Sequence, residues 1–186
     1  SRYSIWDVPS VTSMKGMFFH ATNFNSDLSK WDVSSVTMMN DMFNAAASFN
    51  GDVSEWDVSS VTTMEAMFRD AKSFSRDISK WDVSSVTVMA AMFYQAESFA
   101  GDLSEWDVSS VEAIESMFNG AKVFNSDISE WDLSSVIYQT SGMFCKAGSF
   151  AGDISKWDVS SVIAMRAMFE GATNFNANIS QWDVSS

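Results

Sequence analysis

Apolar residues recur along this chain in one fixed order. From Leu28 the run is Leu28, Trp31, Val33, Val36, Met39, Met42, Phe43, Ala46 and Phe49, and a near-copy starts at Val53. The first four are spaced apolar-x-x-apolar-x-apolar-x-x-apolar, the leucine-rich-repeat pattern with Trp in the second Leu place. Lys30-Trp31-Asp32-Val33 alternates polar and apolar, which predicts a short strand with Trp31 and Val33 inward and Lys30 and Asp32 outward. Ser34 and Ser35 then precede apolar positions three and four apart, Val36 to Ala46. That spacing predicts a serine-capped helix of about ten residues, too short to stand alone in water. Phe49-Asn50-Gly51-Asp52 is turn chemistry leading into the next strand.

The unit repeats along the whole chain. Trp-Asp occurs at residues 6, 31, 56, 81, 106, 131, 157 and 182, which accounts for all eight tryptophans at intervals of 25 with a single 26. The expected fold class is an α/β repeat solenoid of leucine-rich-repeat type, with one short parallel β-strand and one short helix per 25-residue coil. It forms a single array of about seven coils over residues 1–186. Stacking aligns the Trp residues, the Met-Phe residues and the turn Phe residues into columns, and these are the candidate core. The chain begins just before one Trp-Asp and stops mid-repeat without polar caps. The expectation is a fragment of a longer array, or an array whose ends are covered by partners, with end-to-end self-association also open. In the 26-residue coil the filler Ile137 to Gly142 lacks the usual Met, which predicts a bulge in the short helix.

Composition narrows the function. A net charge of −13 argues against nucleic acid and against an anionic membrane surface. No run of 18 or more apolar residues is present, so no membrane insertion is expected. Cys145 is the single cysteine, so no intrachain disulfide forms, and it is read as a small residue at a variable position. His20, the single histidine, follows Met17-Phe18-Phe19 and is read as a surface residue. One His and one Cys cannot assemble a His/Cys zinc site, and there is no P-loop or G-x-G-x-x-G. No enzyme activity and no cofactor are expected.

Two acidic columns remain. One follows each Trp, from Asp7 and Asp32 to Asp183; the other opens each strand, from Asp27 to Asp153, and ends in Asn178. Together they hold 14 of the 24 acidic residues. Like charges facing each other on adjacent strands are destabilising, so the columns need a reason. One is turn locking, with Asp32 accepting from Ser34 or Ser35 and Asp27 from Ser29. The other is a divalent cation shared between coils, with Asp32, Asp57, Asp82 and Asp107 as candidate metal ligands. Calcium needs six to eight oxygens and no recognised calcium loop is present, which favours turn locking. The residue before each Trp alternates in sign, Lys30, Glu55, Lys80, Glu105, so neighbouring coils face opposite charges.

The full signature, Trp-Asp-Val-Ser-Ser-Val-Thr-x-Met-x-x-Met-Phe-x-x-Ala-x-x-Phe-Asn-x-Asp-Ile-Ser, is carried nearly whole by Trp31 to Ser54. It resembles the BspA-like leucine-rich-repeat surface proteins, including the 25- or 26-residue-repeat surface proteins of mycoplasmas. The resemblance implies a cell-surface or extracellular module, an adhesin for host matrix proteins in some members, and brings no catalytic residues. The function expected is a non-enzymatic repeat scaffold for protein–protein interaction or adhesion. The alternatives are an assembly subunit within a larger complex, and a Ca²⁺- or glycan-binding array using the Asp columns. A protein partner would be read by the variable residues after each Met-Phe: Phe19, Asn44, Arg69, Tyr94, Asn119, Cys145 and Glu170.

Overall fold

The backbone amides of each repeat divide between two directions, and that division sets the architecture. A computed structural model describes residues 10–137 and 139–185; Trp6, Asp7 and Tyr138 lie outside the described residues. In the coil that carries Trp31, the N–H groups of Met39, Asp41, Phe43 and Ala45 donate to carbonyls of the following coil, those of Thr63, Glu65, Met67 and Arg69, at 2.7–3.1 Å. The amides between them, Met42, Asn44 and Ala46, donate three residues back, to Met39, Asp41 and Phe43. The segment is thus a run of tight turns strung on an axial ladder. Seven of its backbone amides, Met39 and Asp41 to Ala46, thus find backbone partners, as a buried segment requires.

This overturns the expected helix. An α-helix sends every amide four residues back along its own chain, whereas here alternate amides leave the coil. Two residues per coil also sit in the left-handed region: Asp41 (φ 56°) and Ala45 (φ 59°), Ala66 and Asp70, Ala91 and Gln95, with equivalents in the other coils. No right-handed helix accommodates a left-handed residue every fourth position. The apolar spacing of three and four that suggested a helix is produced equally by consecutive three-residue turns, each returning one side chain inward.

The expected strand is absent too. Residues 30–33 form no strand, and the pairing between coils falls later, as single-residue parallel bridges joining Ser13, Met38, Thr63, Val88 and Ala113, with a further bridge from Gln139 to Ala164. With neither helix nor extended strand among the described residues, the chain is not an α/β solenoid of leucine-rich-repeat type. The serine after each Trp-Asp-Val is correspondingly not a helix cap. It closes a small turn on the preceding Asp.

The core follows the predicted columns. Trp56, Trp81, Trp106, Trp131 and Trp157 are all buried, and the flanking Val or Leu two residues on is buried with them. One Phe row runs from Phe18 through Phe43 and Phe68 to Phe169, and a second from Phe24 through Phe49 to Phe175. Within a coil the two rings stack closely, as in Phe43 on Phe49 at 3.8 Å between centroids. Between coils the same rings lie further apart, as in Phe43 over Phe68 at 5.5 Å. Such pairs contribute about 0.5–1.5 kcal/mol each beyond area burial.

The indoles stitch the coils together. Trp56 Nε1 donates to the Leu28 carbonyl at 3.1 Å, and that carbonyl also accepts the Trp31 amide at 3.0 Å, so both of its lone pairs are used. Trp81, Trp106, Trp131, Trp157 and Trp182 make the same reach into the preceding coil. The 26-residue coil absorbs its extra residue ahead of Gln139, which takes the bridging place. Thr140 then occupies the buried Met place, its hydroxyl on Met168 Sδ at 3.4 Å. Among the described residues there is no helix here to carry the expected bulge.

Candidate interaction surface

The Asp columns are built turn by turn. Asp32 Oδ1 accepts the Ser34 amide at 3.1 Å and the Ser34 hydroxyl at 2.7 Å, and the same pair of bonds recurs at Asp57, Asp82, Asp107, Asp158 and Asp183. The second column repeats the device with the amide: Asp27 Oδ1 accepts from Ser29 at 2.9 Å, and Asp52, Asp77, Asp102, Asp127 and Asp153 do likewise. Donation from the serine hydroxyl and amide holds the carboxyls of Asp32, Asp82 and Asp107 below the usual aspartate value. At Asp27, Asp77 and Asp127 the serine amide is the main cause of the same depression. Repulsion within the columns works against it, Asp52 raising Asp27 and Asp107 raising Asp82.

Of the candidate metal ligands, Asp32, Asp57, Asp82 and Asp107 therefore each have one carboxylate oxygen committed to a serine. Among the described residues no group of three or more His, Cys, Asp or Glu is arranged to hold an ion. Beside the second column, Asp102, Glu105, Asp127 and Glu130 line a shallow cleft of about 680 Å³, with Ser104 and Ser126 on its walls. In the row before the Trp residues, Lys80 pairs with Glu55 at 3.1 Å and Lys156 with Glu130. All four side chains are exposed, so these pairs set register more than they stabilise.

The row after each Met-Phe is not uniformly outward. Phe19, Arg69 and Glu170 are exposed, Tyr94 and Asn119 are half-buried, and Asn44 and Cys145 are buried. Asn44 is held down by a 2.7 Å bond from its Nδ2 to Asp41 Oδ1. Among the long side chains, Arg69 lies across the next coil. Its guanidinium is 4.7 Å from the centre of the Tyr94 ring, a cation–π contact that fixes both groups at the surface.

Beside this pair runs a charged row that the sequence reading missed. Glu97 lies between Lys72 at 3.5 Å and Lys122 at 2.6 Å, each one coil away. Bonding from Lys122 is the main cause holding the Glu97 carboxyl below its ordinary value. The signal was available, since Lys72, Glu97 and Lys122 alternate in sign at 25-residue spacing, as the row before the Trp residues does. Arg69, Tyr94, Lys72, Glu97 and Lys122 are thus the varied, specific groups on an otherwise repeating body.

The same repeats decide the relationship to known proteins. A family described as "Mycoplasma protein of unknown function, DUF285" matches residues 1–101, 51–144 and 135–186. The chain belongs to this family. Its three overlapping matches follow one another along the array, so the repeating unit itself is what the family shares. No curated protein matches the DUF285 chain.

Proposed function

We propose that this DUF285 protein is a non-enzymatic repeat scaffold that binds a protein partner at a cell surface through the row centred on Arg69 and Tyr94. The observation that carries the reading is the Arg69–Tyr94 contact flanked by the Lys72–Glu97–Lys122 bridge. Arg and Tyr are the side chains that most often dominate protein interfaces. Here they are offered already ordered, so little side-chain freedom is lost on binding. The surface location is supported by the resemblance of the Trp-Asp-Val-Ser-Ser-Val-Thr signature to BspA-like surface proteins. The invariant rows are spent on the core and the Asx turns, which leaves the varied row to supply specificity.

The test is capture from the native source on the immobilised chain, comparing Arg69→Glu/Tyr94→Ser with Lys30→Ala in the charged row before the Trp residues. The proposal expects a captured protein that the double variant loses and Lys30→Ala retains. Equal capture by both variants would remove the row from consideration.

A further inference from the structure

The seventh coil departs from the others at one position of the second acidic column. Six coils carry Asp27, Asp52, Asp77, Asp102, Asp127 and Asp153 there, and the seventh carries Asn178. The local fold is unchanged by this, because Asn178 Oδ1 accepts the Ser180 amide at 3.0 Å, as each Asp accepts from its serine. The exchange creates Asn178-Ile179-Ser180, an N-x-S acceptor sequence with no proline. No other asparagine in the chain is followed two residues on by Ser or Thr.

We propose that Asn178 is an acceptor for N-linked glycosylation. The proposal rests on the surface reading above for the chain's passage through a compartment where such transfer occurs. Three features of the structure support it. The position is exposed in every described coil, internal ones included, so its accessibility belongs to the repeat. The Oδ1 bond orients the side-chain amide while Nδ2 meets no acceptor among the described residues. The stretch from Asn176 to Gln181 carries no charge, whereas its counterpart in the fourth coil carries Asp102 and Glu105. Asp153 of the preceding coil lines the same cleft, and with Asn178 in place of a seventh aspartate the site repels an anionic donor less than its counterparts do.

The donor is a lipid-pyrophosphate-linked oligosaccharide. Nδ2 of Asn178 forms a bond to the anomeric carbon, the bond from that carbon to the pyrophosphate oxygen breaks, and the amide gives one proton to a base of the transferring enzyme. The lipid pyrophosphate leaves with the electron pair, and nothing is oxidised or reduced.

The experiment expresses the 186-residue chain behind an added secretory leader in eukaryotic cells. The wild type is expected to show a single mobility shift removed by peptide N-glycosidase, with Ser180→Thr still shifted. Asn178→Asp and Ser180→Ala are expected to lack it. Asn178→Asp restores the side chain of the other coils, so an unchanged melting curve accompanies the loss. An unshifted wild type beside a modified control glycoprotein would overturn the proposal, as would a shift that survives in Asn178→Asp. Because the leader delivers the chain whatever its native location, failure here speaks to the acceptor alone, and the capture experiment judges the surface reading separately.

Discussion

At the scale of the residue, each side chain is asked to satisfy two neighbouring coils at once. Trp81 fills a core column and ties its indole to the Val53 carbonyl at 3.0 Å. Trp81→Ala is expected to cost about 3–5 kcal/mol, whereas Tyr94→Ser, on the surface row, is expected to cost under about 1 kcal/mol; urea unfolding of both variants checks the contrast. Gly51 is constrained by space: a Cβ there would lie 2.6 Å from the Ser26 carbonyl oxygen of the preceding coil. Gly51→Ala should therefore destabilise by about 1–3 kcal/mol, the range for overpacking, read in the same assay. The Asp turns give a pH dependence. Among the described residues, eleven aspartates have folded values below their ordinary one. A depressed carboxyl stabilises the fold above its unfolded value, about 3.9, and that contribution is lost as pH falls through the lower folded values. The melting temperature should thus hold from neutrality down to the ordinary aspartate range and fall below it. A rise on acidification would mean that relief of repulsion along the columns outweighs the turns.

At the scale of the element, the question is what a run of apolar residues three and four apart becomes. The structure gives turns with two left-handed residues per coil, and glycine scanning distinguishes this from a helix. In a helix, Ala90→Gly and Ala91→Gly would each cost about 1 kcal/mol. In the turns, Ala91 is left-handed at φ 54° and Ala90 is not. Ala91→Gly is therefore expected to be neutral or stabilising in urea unfolding and Ala90→Gly destabilising. This is also where the sequence stopped being legible. Trp31, Val33, Phe43 and Phe49 announced their inward direction because period alone decides it. The serine bonds to Asp32 and Asp27 could be read from spacing as well. The direction of the backbone amides could not, since Met39 and Met42 look the same whether their amides turn back or reach across to the next coil. The candidate interface was half legible for a related reason. Variation marked the row after Met-Phe, but the burial of Asn44 and Cys145 depends on side-chain length and on the bond to Asp41.

At the scale of the whole molecule, stability is a sum over like interfaces between neighbours. Between the coils of Phe43 and Phe68, for example, six backbone amide bonds, an indole tie and two stacked phenylalanine contacts cross the seam. The far-ultraviolet circular dichroism should lack the helical double minimum although the chain is well packed; a helical spectrum would contradict the turn architecture. The indole tie has a consequence for how such chains change over generations. Because Trp56 reaches a carbonyl that every unit presents in the same place, removing or duplicating one whole unit rejoins matching faces and leaves no unmatched seam. The gene can therefore lengthen or shorten by recombination between its own repeats, in steps of a single unit, without passing through an unfoldable product. The varied row would be reshuffled at each such event, giving a lineage new binding surfaces on an unaltered frame.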